Sequence, residues 1–169
     1  LLSMLPIVMM GLRHGAPFGA GTAFIYSLIQ FVLGISNLAY CATLGAQIGC
    51  VLLDYLLAFT VLGLADLFSK PFKSRAAGVC VGTAVVCLLR FVCSFLSGYI
   101  VWKDYDYAVE WLTNFEWGAN FINSMGQDAL CWFYSFVYNL SYMLPETILT
   151  VIGALILYKA MPKLFARQA

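Results

Sequence analysis

Long apolar runs separated by short polar breaks make up this chain. The runs extend from Leu1 to Leu12, Phe18 to Ile35, Ile48 to Phe68, Ala76 to Trp102 and Leu130 to Tyr158. A helix needs roughly 17–25 apolar residues to cross a bilayer. The last four runs meet that length, and the final two exceed it, so they must tilt or project beyond the hydrocarbon. The first run is too short to cross alone and reads as the end of a helix, or as a helix starting near a membrane surface. Gly11, Gly15, Pro17 and Gly19 mark the first turn, Ser36-Asn37 the second and Pro71 the third, and the stretch from Asp104 to Asp128 forms the last connection. The pattern predicts an all-α integral membrane protein, with a helical bundle occupying residues 1–169 as a single transmembrane domain.

Composition supports the same class. Hydrophobic residues make up 63% of the chain and charged residues 10%, against ~25% charged in soluble domains. The net charge of +1 and the lack of a clustered basic face exclude nucleic acid as a partner. No secretory signal with a basic start and cleavage site is visible. The six cysteines Cys41, Cys50, Cys80, Cys87, Cys93 and Cys131 lie in or beside apolar runs without a CxxC spacing and read as small apolar filler.

Charge also sets direction. Arg13 and His14 fall in the first turn, Lys70, Lys73 and Arg75 in the third, and Lys159, Lys163 and Arg167 after the last helix. The stretch from Lys103 to Asp128 instead carries Asp104, Asp106, Glu110, Glu116 and Asp128 against Lys103 alone. Basic residues favour the cytoplasm, so the C-terminus is expected inside and the acidic connection outside. The chain begins without Met inside an apolar stretch, with its first residue then on the outer side. One preceding helix, giving six in all, is therefore expected.

Against this background Asp54 stands out, the only charge between Arg13 and Asp66. A carboxylate at the centre of a bilayer helix costs about 2.5–3.5 kcal/mol, which calls for a cation, a proton path or a buried partner. Gln30, Arg90, Ser94, Ser97, Asn139, Ser141 and Glu146 are the other polar residues inside the runs. Arg90 with Asp54 or Glu146 would make a purely structural ion pair, and Asn139 would serve equally well as interhelical glue. Glu146 follows Pro145, where a kink is expected. Arg90, Ser94 and Ser97 share a helix face beside Gly98, with Trp102 a turn further out; Tyr134, Tyr138, Tyr142 and Glu146 form a second row. Tyr99, Tyr105 and Trp111 fit an interfacial aromatic belt. Rings in line with a carboxylate suit a bound cation, worth ~2 kcal/mol or more when desolvated.

Several segments resemble one family. Leu2-Ser3-Met4-Leu5-Pro6, Gly11-Leu12-Arg13-His14-Gly15, Leu53 to Phe59, Arg90 to Gly98, and Tyr134 to Asn139 running on to Tyr142-Met143-Leu144-Pro145-Glu146 are similar, in order, to the thiamine-binding S components of energy-coupling-factor vitamin transporters. The resemblance implies a six-helix S-component fold, of which five segments are visible here, in a multi-pass protein of the bacterial cell membrane. It implies no catalytic chemistry and no cofactor. The expected partners are thiamine or a related small molecule, a transmembrane T subunit and two ATPase subunits, within the lipid bilayer. It assigns ligand contact to Asp54, Tyr55, Arg90, Ser94, Gly98, Trp102, Tyr134 and Asn139, with Tyr40 as a weaker candidate. Two departures bear on specificity. The family often has Glu where Asp54 stands and usually His where Ser94 stands, so a different vitamin or a thiamine precursor is the alternative ligand. An intramembrane enzyme is the competing class, but such sites need His and carboxylate clusters. His14 is the only histidine, and neither a metal-ligand spacing nor a phosphate-binding glycine motif is present.

Overall fold

The computed structural model describes residues 2–165, so Leu1 and Arg167 lie outside the described residues. Helix α1 (Leu5–His14) and α2 (Ala16–Leu33) form a hairpin, followed by a 3-10 turn at Ile35–Tyr40. The long helix α3 (Leu44–Ser69), α4 (Arg75–Ile100), the short α5 (Tyr105–Thr113) and α6 (Gly118–Ser124), and α7 (Gln127–Ala160) complete the bundle. No strand occurs among the described residues. Helices α2, α3, α4 and α7 are long and apolar enough to cross a membrane, and they correspond to the four long runs read from the sequence. With its ten residues, α1 reaches only about 15 Å. The protein is a multi-pass, all-α membrane protein.

Local chemistry explains most boundaries. Gly15 joins α1 to α2 with φ +88, a conformation open chiefly to glycine, and Pro17 sits in the first turn of α2, where no amide donor is needed. Thr43 caps α3 by accepting from the Ala46 amide at 3.1 Å, and Ser74 caps α4 from Ala77 at 3.4 Å. The acidic connection is more ordered than its composition suggested. Asp104 caps α5 by accepting from the Tyr107 amide at 2.9 Å, and Ala108 and Leu112 are buried on its inner face. Helix α7 continues through Pro145.

Helices α1, α2 and α3 meet backbone to backbone. A Cβ on Gly11 or Gly19 would collide with the Gly63 carbonyl, and one on Gly63 with the Gly19 carbonyl. Small residues at such a crossing let dispersion act over the whole contact, which matters because lipid removes the hydrophobic drive between helices. A polar clamp closes the same end of the bundle. Arg75 donates to the Leu12 carbonyl at 2.6 Å, the Phe165 carbonyl at 3.1 Å and the Ser69 hydroxyl at 3.0 Å, and it faces buried Asp66 at 3.5 Å, which Lys70 also approaches at 3.6 Å. The clamp gathers the ends of α1 and α3, the start of α4 and the segment after α7 on one side, so the basic turns share an end of the molecule. Most of the packed core, including Val8, Leu12, Leu62, Val79 and Val86, lies in this half.

Alanine at Gly63 is expected to lower stability by about 1–3 kcal/mol, the scale of overpacking. Alanine at Gly21, whose Cβ would meet open space, should leave stability unchanged or slightly raised. Thermal unfolding in detergent distinguishes the two; equal behaviour would show that the glycine contact does not set the packing.

Candidate functional site

The opposite half of the bundle holds the polar residues, and the first of them depends on a local irregularity in α3. Residues Val51–Leu57 are π-helical, flanked by α-helix before and a 3-10 stretch at Val61–Leu64 after. A π turn widens the coil and changes the angle between successive side chains, and such turns recur at functional sites. Within this stretch Asp54 and Tyr55 have different partners. Asp54 Oδ2 accepts from Trp102 Nε1 at 2.8 Å, joining α3 to the end of α4. The Tyr55 hydroxyl donates to the Gly34 carbonyl at 3.1 Å and accepts from Asn37 at 2.9 Å, while its ring lies edge-on to Phe31. Tyr55 thus pins the α2–α3 connection, and Gly34 is required because a Cβ there would strike the Tyr55 hydroxyl.

Gly98 marks the close approach of α4 to α7. A Cβ at that position would overlap Ser135 Oγ and lie 3.3 Å from Asn139 Nδ2. Ser135 donates to the Phe95 carbonyl at 2.7 Å, so the two helices are hydrogen-bonded where they nearly touch. Asn139 donates to the Ser135 carbonyl at 2.8 Å and accepts from the Tyr142 hydroxyl at 2.6 Å. Residues of α4 and α7 therefore meet at Gly98, Ser135 and Asn139.

Arg90 forms neither of the ion pairs expected of it. Among the described residues the ion pairs are those of Asp66 with Lys70 and Arg75, and Lys103 with Asp128. Glu146 instead accepts from Ser3 at 2.7 Å, tying the start of α1 to α7. Arg90 lies over the Phe59 ring at 4.5 Å, and its Nε and Nη1 are buried without an acceptor. A buried donor left unpaired costs about 1–3 kcal/mol, and more when charged. The hydroxyls of Thr60, Thr83 and Ser97 are also unpaired, but a neutral hydroxyl bears a smaller penalty than a guanidinium.

Tyr134 belongs to an aromatic wall built by two helices. Tyr107 and Trp111 of α5 lie edge-on to Tyr134 at 5.9 and 5.5 Å, and Trp111 also meets Tyr138 at 5.8 Å. Tyr138 continues to Tyr142 at 5.8 Å. Trp111 is thus a packing partner of this row. Nearby, Tyr99 stacks on Trp132 at 3.9 Å, and Lys103 sits over the Tyr99 ring while pairing with Asp128 across the base of the acidic connection. Those hydrogen bonds, to Asp128 first and Tyr99 second, hold the Lys103 ammonium pKa above its ordinary value.

The structure joins Asp54 to Trp102 and Asn139 to Ser135 and Tyr142, sets Arg90 over Phe59, and gives Tyr55 and Gly98 evident packing roles. Tyr142 was visible in the sequence through its place in the tyrosine row; Ser135 carried no signal of its own. Tyr40, at 80% exposure, stands apart from the cluster. Histidine 14 lies at the other end, its ring 4.9 Å from Phe18. No group of three or more His, Cys, Asp or Glu suited to a metal occurs among the described residues, and the six cysteines are free.

Residues 1–166 match the thiamine transporter protein family. The chain is also 27% identical, over 165 residues, to the thiamine transporter ThiT of Bacillus subtilis (strain 168), an alignment covering 96% of this chain and 76% of that protein. The chain belongs to the thiamine transporter protein family.

Gly98→Ala is expected to destabilise the bundle by about 1–3 kcal/mol through overlap with Ser135. The Gly98→Ala/Ser135→Ala pair should recover part of that loss, since it removes the overlapping oxygen. Thermal unfolding of the two variants and of Ser135→Ala completes a double-mutant cycle; strict additivity would place the Gly98 contact elsewhere.

Proposed function

We propose that this protein is the substrate-binding membrane subunit of an energy-coupling-factor transporter, taking up thiamine without altering it chemically. Family membership supports thiamine as the cargo, and the observation that carries the binding site is the Asp54–Trp102 contact. The indole fixes one carboxylate oxygen of Asp54, and the carboxylate supplies the negative charge for a cation. The thiazolium ring of thiamine carries a permanent positive charge. Held at Asp54 beside aromatic rings, it gains from a charge contact and from ring faces in a site of low polarity. Asn139, Tyr142 and Ser94 supply hydrogen-bonding groups to orient the neutral parts of the ligand, with Tyr134 at the aromatic wall.

The side of entry follows from charge. The basic turns share the end held by Arg75, while Asp54, Trp102 and the acidic connection occupy the other. Basic residues favour the cytoplasm, so the C-terminus is cytoplasmic and the site opens outward in a bacterial cell membrane. Energy would come from a T subunit and two ATPase subunits, as the resemblance to S components implies. These 169 residues carry no phosphate-binding glycine motif with which to use a nucleotide directly. Serine at position 94, where the family usually has histidine, keeps a thiamine precursor as the second reading.

Isothermal titration calorimetry of the purified protein should show saturable thiamine binding, and no binding at micromolar ligand would remove the assignment. Tighter binding of the pyrimidine half than of whole thiamine would favour the precursor. Asp54→Asn is expected to weaken thiamine by about 10- to 100-fold, the weight of a desolvated charge contact, while a neutral isostere of the thiazolium loses far less. Equal losses for both would show that Asp54 does not read charge. Co-purification with a T subunit and two ATPases tests the energising assembly separately.

A further inference from the structure

Of the six free cysteines, Cys41 and Cys50 are the two that pack in one buried cluster, together with Tyr55. Cys87 belongs to the other core cluster, and Cys80, Cys93 and Cys131 to neither. The Cys41 and Cys50 thiols sit within direct interaction distance of each other. Cys41 follows the 3-10 turn in extended backbone, φ −78 and ψ 119, and its thiol donates to the Asn37 carbonyl at 3.9 Å. Cys50 lies nine positions on, one turn before Asp54 in α3. The turn is otherwise held to α3 by neutral hydrogen bonds: Asn37 donates to the Tyr55 hydroxyl at 2.9 Å, and Gln47 to the Leu38 carbonyl at 3.5 Å. Tyr40 and Ala42, on either side of Cys41, are exposed, so a small opening of the turn uncovers that thiol. Cys50 is fully enclosed.

We propose that Cys41 and Cys50 are a redox pair whose disulfide staples the α2–α3 connection onto α3, with a dialkyl disulfide as the oxidant. Two cysteines bridge only when their side chains face each other across a short gap, and thiols packed in one cluster from two facing segments meet that demand. Exchange proceeds in two steps. The Cys41 thiolate attacks one sulfur of the oxidant RSSR, forming a Cys41–SR mixed disulfide and releasing RS⁻, which takes up the proton that Cys41 lost. The Cys50 sulfur then attacks Cys41 Sγ, forming the Cys41–Cys50 bond and expelling the second RS⁻, which takes the Cys50 proton. Two electrons and two protons thus pass from the pair to the oxidant, giving two RSH. In the orientation proposed above this end of the bundle faces outward, where disulfides persist. Once stapled, the turn cannot lift from α3 without moving Cys50, so the hydrogen bonds of Asn37 and Gly34 with Tyr55 open less often. The staple therefore sets the rigidity of the segment that borders Asp54 and Tyr55.

The test treats the purified full chain in detergent with oxidised glutathione, then unfolds it in iodoacetamide and maps the peptides by mass spectrometry. The peptide holding Cys41 and Cys50 should be lighter by two hydrogens and free of alkylation, while Cys80, Cys87, Cys93 and Cys131 are alkylated. Oxidation should raise the unfolding temperature by about 4–12 °C, the effect of closing a short loop in a chain of this size, and a reductant should reverse the rise. Cys41→Ala and Cys50→Ala should each abolish the shift, and Cys93→Ala should keep it. If either alanine variant does not fold, the wild-type peptide map and its reversal by reductant decide the matter without it. Glutathione retained on Cys41 would overturn the proposal by placing Cys50 out of reach. So would two unreacted thiols after native oxidation, or a link that forms only in the unfolded chain. Thiamine takes no part in this readout, so failure of the staple and failure of the transport reading are seen separately.

Discussion

The contact among Gly11, Gly19 and Gly63 sets how closely α1, α2 and α3 can approach, and the rest of the bundle is arranged around it. In a bilayer the lipid tails are as apolar as leucine, so association depends on fit rather than on expulsion of water. Three backbones in direct contact provide that fit with no side chains between them. The Arg75 clamp then fixes the same end with charged hydrogen bonds to carbonyls that a helix terminus leaves open. One half of the protein is therefore tightly packed, and the opposite half is free to hold polar groups.

That division accounts for the character of the candidate site. The half with Asp54 has a smaller buried cluster, made of Cys41, Cys50 and Tyr55 with Phe31, Phe59 and Trp102 packed against it. Its helices are joined by hydrogen bonds instead: Trp102 to Asp54, Tyr55 to Gly34, and Ser135 to Phe95. The π-helical stretch belongs to the same design. Within it Tyr55 anchors the α2–α3 connection while Asp54 faces the end of α4. Two neighbours in sequence thus join different pairs of helices.

Much of this was legible in the sequence. The four spanning helices follow from run length, because a bilayer of fixed thickness makes hydropathy a direct measure of a crossing. Asp54 was legible too, since a lone carboxylate in an apolar run is energetically conspicuous. The row Tyr134, Tyr138, Tyr142 followed from helical periodicity. The acidic connection was read as a loop because its charges mask the short inner face of Ala108 and Leu112, and a helix of nine residues leaves little periodicity to detect.

Pairing between distant positions could not be read from the chain, however. Arg90 had two plausible carboxylate partners, and the structure gives it neither: Asp54 is drawn to Trp102 and Glu146 to Ser3, residues separated from them by long stretches of chain. Asp66 and Arg75 form a part-buried pair beside the third turn. Trp111 packs on Tyr134 and Tyr138, a pairing between helices that the chain alone did not show. The sequence by itself determined the class, the spans and the singular carboxylate, because hydrophobic length and intramembrane charge are local quantities. Only the tertiary structure decided which polar groups meet and which are left open, because a hydrogen bond depends on distance and direction between helices whose spacing the glycine contact sets.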